Sequence, residues 1–250
     1  MLIWSFEVLT TKKQQKMEQK LQRNIVWFFS LLLLTSFLGF YPTYLVKAPT
    51  FEGFKTAHHF HGLMALLWIL LLIVQPLLIR LKKNALHKQV GKLSYVIMPL
   101  LMISLFFVAK ASYEAALIAK GRETALAGMT NGIPDLIYLG FFFTMAMIYR
   151  KQVSIHMRFM ACTGFMMLGP GLGRMMVVAF GMPVPVVIVT IVALTALLPL
   201  TWLIFDIKNK KPLFPLISYL VITIMVIITG SSGQDPWWQS IAGWISETLF

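Results

Sequence analysis

The stretch HGLMALLWILLLIVQPLLIR, residues 61–80, indicates the fold class, because eighteen uncharged residues separate His61 from Arg80. The hydrocarbon core of a bilayer is about 30 Å thick and needs roughly 20 apolar residues for one helical crossing. The stretch lacks the two-residue alternation of a barrel strand, and lipid admits only helices and closed barrels as spanning structures. Residues 56–80 are therefore predicted to form a transmembrane helix.

Six further apolar runs extend this pattern along the chain. They cover residues 24–46, 93–118, 133–150, 155–180, 184–206 and 213–230. The 250 residues are 58% hydrophobic and only 12% charged, which is outside the usual composition of soluble globular domains. The sequence predicts an all-α polytopic transmembrane helical bundle with about seven spans, in a single domain over residues 24–230.

Lysine and arginine are divided unequally between the loops on the two sides of the membrane. Sixteen of the 22 lie in the basic N-terminal segment 1–23 or near every second junction after it. Because short cytoplasmic loops collect basic residues, this predicts an N-terminus inside and a C-terminus outside. The basic residues would orient the helices and contact anionic lipid headgroups, which explains the net charge of +13. Nucleic acid is therefore not an expected partner. We expect a multi-pass protein of the bacterial cytoplasmic (inner) membrane, in contact with the lipid bilayer.

Residues 231–250 carry the pattern of an amphipathic helix that begins at Asp235 and Pro236. Its apolar face would contain Trp237, Ile241, Trp244, Ile245 and Leu249. A tryptophan-rich helix of this kind is predicted to lie in the membrane interface on the outer side. The alternative is that it binds a partner, such as another membrane complex.

The start of the second predicted span, residues 58–61, contains three of the five histidines. His58 and His61 are three residues apart and so share one face of a helix. Two imidazoles need at least a third ligand to form a metal site, and Glu114 or Asp135 could supply it at the same outer level. The sequence thus suggests a metal site that uses His58, His61, Glu114 and Asp135.

Lys110 and Arg174 are predicted at the same outer level and could line a polar cavity that binds a small anion. Ionisable groups at membrane depth are costly and usually face the protein interior or a wet cavity. The alternative is a ring of side chains that reach the interface, with Lys110 and Glu114 paired at i, i+4.

The fifth predicted span contains the sequence GPGLGR, residues 169–174, whose proline removes one helical hydrogen bond. A break beside an intramembrane arginine resembles the discontinuous helices that line transporter sites. An ordinary kink at a close helix crossing is the alternative, because the three glycines allow neighbouring backbones to approach.

The inner side has a histidine pair of its own. His87 precedes the third span and His156 opens the fifth, so the topology places both imidazoles at the cytoplasmic level. Two histidines from different helices at one depth could ligate haem b, with Arg158 near the propionates. The alternative is that both are interfacial residues in basic loops.

The motifs His87-x-x-x-Gly91-Lys92 and His156-x-Arg158-x-Met160, followed by Gly-Arg at 173–174, resemble a family of predicted bacterial multi-pass membrane proteins of unknown function. The resemblance covers roughly residues 56–180. It implies that the histidines and the arginine at 174 belong to one functional site or share one structural role. A looser similarity of layout links the chain to cytochrome b-type membrane bundles, which also carry histidines near both membrane faces.

Three functions are compatible with these patterns. The first is electron transfer through a haem b held by His87 and His156, which would make the protein a membrane oxidoreductase. The second is transport of a small solute or ion through an outward-facing polar cavity. The third is an accessory or assembly role for another membrane complex. The sequence has no nucleophile–base motif and no zinc-protease motif, so a hydrolase is not expected.

Overall fold

The computed structural model describes residues 23–250, and within them the chain is helical without strands. The helices are α1 (Arg23–Phe40), α2 (Thr56–Arg80), α3 (Asn84–Gly91), α4 (Ser94–Lys120), α5 (Arg122–Gly128), α6 (Ile133–Ile148), α7 (Val153–Phe165), α8 (Leu168–Arg174), α9 (Val184–Lys208), α10 (Phe214–Ser231) and α11 (Pro236–Leu249). A 3₁₀ turn at Leu45–Lys47 and a π-helical turn at Met175–Ala179 complete them. The all-α prediction is confirmed, whereas most of the predicted N-terminal segment lies outside the described residues.

Seven helical segments of the described chain are long and apolar enough to cross a membrane. They are α1, α2, α3–α4, α5–α6, the segment Val153–Ala179, α9 and α10. We call the side where α2 ends and α7 begins the basic face, and the side where α1 ends and α2 begins the opposite face. Large apolar side chains stay exposed along the spans, as a lipid-facing surface requires; Ile118 and Val189 are 88% and 68% exposed.

The first span is shorter than predicted, because α1 ends at Phe40 and not near residue 46. Pro42 disfavours the helical conformation of the residue before it, so the helix gives way to turns before the 3₁₀ segment. The stretch between the predicted spans 93–118 and 133–150 also contains a helix, α5, which the sequence did not predict.

The main core joins the spans through large side chains that are almost completely buried. Phe29 of α1, Trp68 of α2, Met98 of α4 and Phe142 of α6 are each at most 2% exposed. At its centre the indole of Trp68 donates a hydrogen bond of 3.2 Å to the hydroxyl of Thr163. This bond satisfies two polar groups that have no water available to them.

A second, smaller core lies at the opposite face, where α11 packs against α5. The indole of Trp238 is buried and donates to the Leu126 carbonyl at 2.9 Å, and Arg122 pairs with Glu247 at 2.5 Å. The predicted start of this helix at Pro236 is confirmed. Ile245 of the predicted apolar face packs against this core, whereas Trp237, Ile241, Trp244 and Leu249 remain exposed and the buried contacts come from Trp238 and Ala242.

Two turn residues, Met166 and Met167, separate α7 from α8 in the fifth span, close to Pro170, where the sequence indicated a break or an ordinary kink. A proline ring clashes with the carbonyl four residues earlier, which is that of Met166, and α7 ends at Phe165. Gly171 then brings α8 against α1, since a Cβ atom there would lie 2.5 Å from the Cα atom of Ser36. The break therefore coincides with a close contact between two backbones.

A buried ion pair connects α7 with α9 near the basic face. The Nε and Nη2 atoms of Arg158 donate to the two carboxylate oxygens of Asp206 at 2.7 and 2.6 Å, and both side chains are 0% exposed. The Nη1 atom donates to the carbonyl and hydroxyl oxygens of Ser154 at 2.7 and 2.6 Å. The guanidinium also lies 5.6 Å from the ring centre of Trp202. Such a bidentate geometry offsets much of the desolvation cost of both charges.

We expect Arg158→Met or Asp206→Leu to lower the free energy of unfolding by about 3–5 kcal/mol, because each leaves one buried charge without its partner. The double variant should recover most of this loss. Thermal unfolding of the purified variants in detergent measures the effect. The exposed pair Lys55–Glu114 is the matched control, and its removal should cost no more than about 1 kcal/mol. A double variant as unstable as the sum of the two single variants would contradict this account.

Candidate functional site

Three basic side chains converge near the opposite face, inside the predicted membrane region. His58 and His61 lie in the first two turns of α2, and Arg174 is the last residue of α8. The end of α1 and the segment that follows it contact both helices here, since Arg174 lies over the Phe40 ring and His58 contacts the Phe54 ring. The structure thus brings together the arginine and two of the three clustered histidines that the sequence singled out.

Hydrogen bonds define the proton positions on the two imidazoles. The Ser104 hydroxyl donates to the Leu101 carbonyl at 2.6 Å, so it must accept the 3.0 Å bond from Nδ1–H of His61. The Nδ1 atom of His58 instead accepts a 3.0 Å bond from the backbone N–H of Lys55. His58 therefore carries its proton on Nε2 and can donate it to a ligand, whereas Nε2 of neutral His61 is an acceptor.

Arg174 is held by contacts that leave its charge uncompensated. Its guanidinium carbon lies 4.4 Å from the ring centre of Phe40, a cation–π contact, and Nη1 donates to the Pro170 carbonyl at 3.2 Å. No carboxylate pairs with it among residues 23–250. His58 and Arg174 can accordingly direct hydrogen-bond donors and positive charge at an anion.

The acidic residues predicted beside this cluster are engaged elsewhere. Glu114 pairs with Lys55 at 3.5 Å and not with Lys110, which donates to a main-chain oxygen of Phe250. Asp135 accepts a bond from the Gly132 backbone and lies near two tyrosines, those at 138 and 219. Within the described residues, no three His, Cys, Asp or Glu side chains are close enough together to hold a metal ion. The four predicted metal ligands are thus not assembled into one ligand set.

Both histidines predicted at the basic face lie there. His87 is on α3 and His156 is in the first turn of α7. The Nδ1 atom of His156 lies 2.8 Å from the carbonyl oxygen of Ala146, in the last turn of α6. A carbonyl can only accept, so Nδ1 carries the proton and Nε2 of the neutral ring is free to bind a metal.

His87 has the reverse proton arrangement. The Gln75 amide is best satisfied when its nitrogen donates to Nδ1 of His87 at 2.5 Å and its oxygen accepts from the Gly91 backbone at 3.0 Å. Nδ1 is then an acceptor and Nε2 carries the proton. To ligate iron through Nε2, His87 would need the Gln75 amide to turn over, which breaks the contact with Gly91.

Arg158 was expected beside a haem propionate, but it is occupied by Asp206 and Ser154. These contacts use four of the five N–H donors of the guanidinium. The arginine therefore acts as a structural residue in this arrangement. Asp206 was missed by the sequence analysis, although an acidic residue within an apolar span is itself an indication of a buried partner.

Comparison of the chain with protein-family models, with curated proteins and with solved structures gives no match. The resemblance to the predicted bacterial membrane family thus rests on the motifs around His87 and His156, and it stays a prediction.

Proposed function

We propose that the protein is a transporter for a small anion, with an outward-facing binding site formed by His58, His61 and Arg174. The observation that supports it best is that the Arg174 guanidinium, held over the Phe40 ring, has no paired carboxylate among residues 23–250. Ionisable groups at membrane depth are expensive and are retained mainly where they act on a substrate or an ion. A bound anion would supply the missing counter-charge.

The hydrogen-bond pattern specifies how such an anion would be bound. Nε2–H of His58 and the guanidinium of Arg174 are donors, and a planar guanidinium fits carboxylate and phosphate oxygens well. Nε2 of His61 can accept a proton, which would add a third donor when the anion arrives. We therefore favour a small carboxylate or an oxyanion as the ligand.

The broken fifth span would be the moving part. Arg174 ends α8, which is separated from α7 by a break and continues into the π-helical turn Met175–Ala179. Discontinuous helices place substrate-binding groups inside many secondary transporters, and π-helical turns are frequent at functional sites. Movement of α8 would displace Arg174 relative to the two histidines on α2.

The site faces outward in the orientation that the basic residues predict. With the basic face in the cytoplasm, the cluster lies in the outer half of a bacterial cytoplasmic membrane. This orientation is part of the proposal, because the direction of transport depends on it.

Ligand-dependent stabilisation of the purified protein tests this function. We expect at least one of phosphate, sulfate, acetate, lactate and succinate to raise the unfolding temperature at constant ionic strength, because a ligand that binds only the folded state stabilises it. Arg174→Gln should abolish the rise. Arg122→Gln, which removes an exposed arginine on the same face, should retain it. A panel without any effect, or an equal rise in Arg174→Gln, would refute the proposal.

A second candidate function, electron transfer by haem b, is favoured by one specific observation. The Nε2 atom of His156, with Nδ1–H fixed on the Ala146 carbonyl, is in the protonation state that an iron ligand needs, and His87 of α3 lies at the same face. When bound, the haem would carry the electron. His156 would supply one ligand, and His87 the other after the Gln75 amide turns.

Absorption spectra of protein purified from haem-replete cells test this second candidate. A bound haem gives a Soret band, which we expect to disappear in His156→Ala and to persist in His59→Ala, a histidine that contacts Tyr44 at the opposite face. A wild-type preparation without a Soret band would exclude haem b and leave the anion site unaffected.

A further inference from the structure

We infer that an apolar cleft near the basic face binds one acyl chain of an anionic phospholipid. The cleft has a volume of about 460 Å³ and lies between α1, α7 and α9. It is lined mainly by apolar side chains, among them Phe28, Phe165, Leu198, Trp202 and Phe205. Its size falls within the roughly 300–1,000 Å³ typical of pockets for small molecules.

The depth of the cleft matches one leaflet of the bilayer. It extends from Asn24 to Phe29 on α1 and from Leu198 to Phe205 on α9. At 1.5 Å per residue these segments cover about 8 and 10 Å along the helix axes. Half of a hydrocarbon core is about 15 Å thick, so the cleft lies at the level of the acyl chains next to the basic face.

The cleft is accessible from the surrounding lipid. Asn24, Thr201 and Phe205 line it and are themselves exposed. Asn24 is at the end of the cleft nearer the basic face, where a lipid carries its polar groups. The indole N–H of Trp202, in the wall, is buried and has no acceptor among residues 23–250, so the wall retains an unused donor.

The charge around the mouth selects an anionic headgroup. Arg23 directly precedes Asn24, and Lys208 follows Phe205 by three residues, which is about one helical turn. Both are exposed and have no carboxylate partner among the described residues. Each basic residue near an anionic membrane surface strengthens binding by roughly fivefold.

Native mass spectrometry of the full chain tests this inference with two lipids of identical chains, phosphatidylglycerol and phosphatidylcholine. We expect wild-type protein to retain phosphatidylglycerol more tightly. Leu198→Trp fills the cleft and should weaken retention of both lipids. Leu197→Trp makes the same change on the neighbouring exposed side chain and should leave both unchanged.

The double variant Arg23→Glu/Lys208→Glu changes the charges at the mouth without filling the cleft. It therefore tests the inference even if Leu198→Trp does not fold. It should lower phosphatidylglycerol affinity by at least the roughly twenty-fivefold expected for two cations, with little effect on phosphatidylcholine. Lys82→Glu/Lys83→Glu, with the same charge change at another junction, is the control. Equal lipid affinities in the wild type, or equal losses in the two charge variants, would overturn the inference.

Discussion

The scarcity of water inside a membrane is the constraint on which the rest of the structure depends, because each polar group placed there must find its partner within the protein. Most buried polar side chains of the described residues have such a partner. Arg158 is matched by Asp206, and the indole of Trp68 by Thr163. The imidazole of His156 satisfies a carbonyl at the end of α6, where the helix itself provides no donor. These contacts tie neighbouring spans together at defined depths.

The cluster of His58, His61 and Arg174 differs from these contacts, because the two imidazoles are only half-buried and Arg174 is exposed. Each imidazole has a local partner on Nδ1, and the guanidinium has a ring and a carbonyl, but no acidic side chain among residues 23–250 pairs with Arg174. Natural proteins accept such local conflicts mainly at functional sites. Arg158 on the same span is buried and matched by Asp206 of α9, which assigns it to structure, whereas Arg174 is exposed and accessible to a ligand.

The sequence could predict the spans well, because length and hydropathy follow directly from bilayer thickness. It also identified the histidine pairs and Arg174, since ionisable residues in apolar runs are conspicuous. It could not predict which acid meets which base. Glu114 pairs with Lys55, which is 59 residues away in sequence, and not with Lys110 on the same helix, because tertiary packing decides which partner is nearer in space. The packed face of α11 was missed for the same reason.

Charge-selective labelling of a cysteine at position 61 tests whether the start of α2 faces an outward, positively charged site. Cys162 is the single native cysteine, so Cys162→Ala provides a clean background for His61→Cys. Membrane-impermeant thiosulfonate reagents of opposite charge would be applied to intact cells. The account predicts labelling from outside, with the anionic reagent favoured over the cationic one more strongly than at an exposed control, Thr248→Cys. Labelling only after permeabilisation, or the same charge preference at both positions, would contradict it.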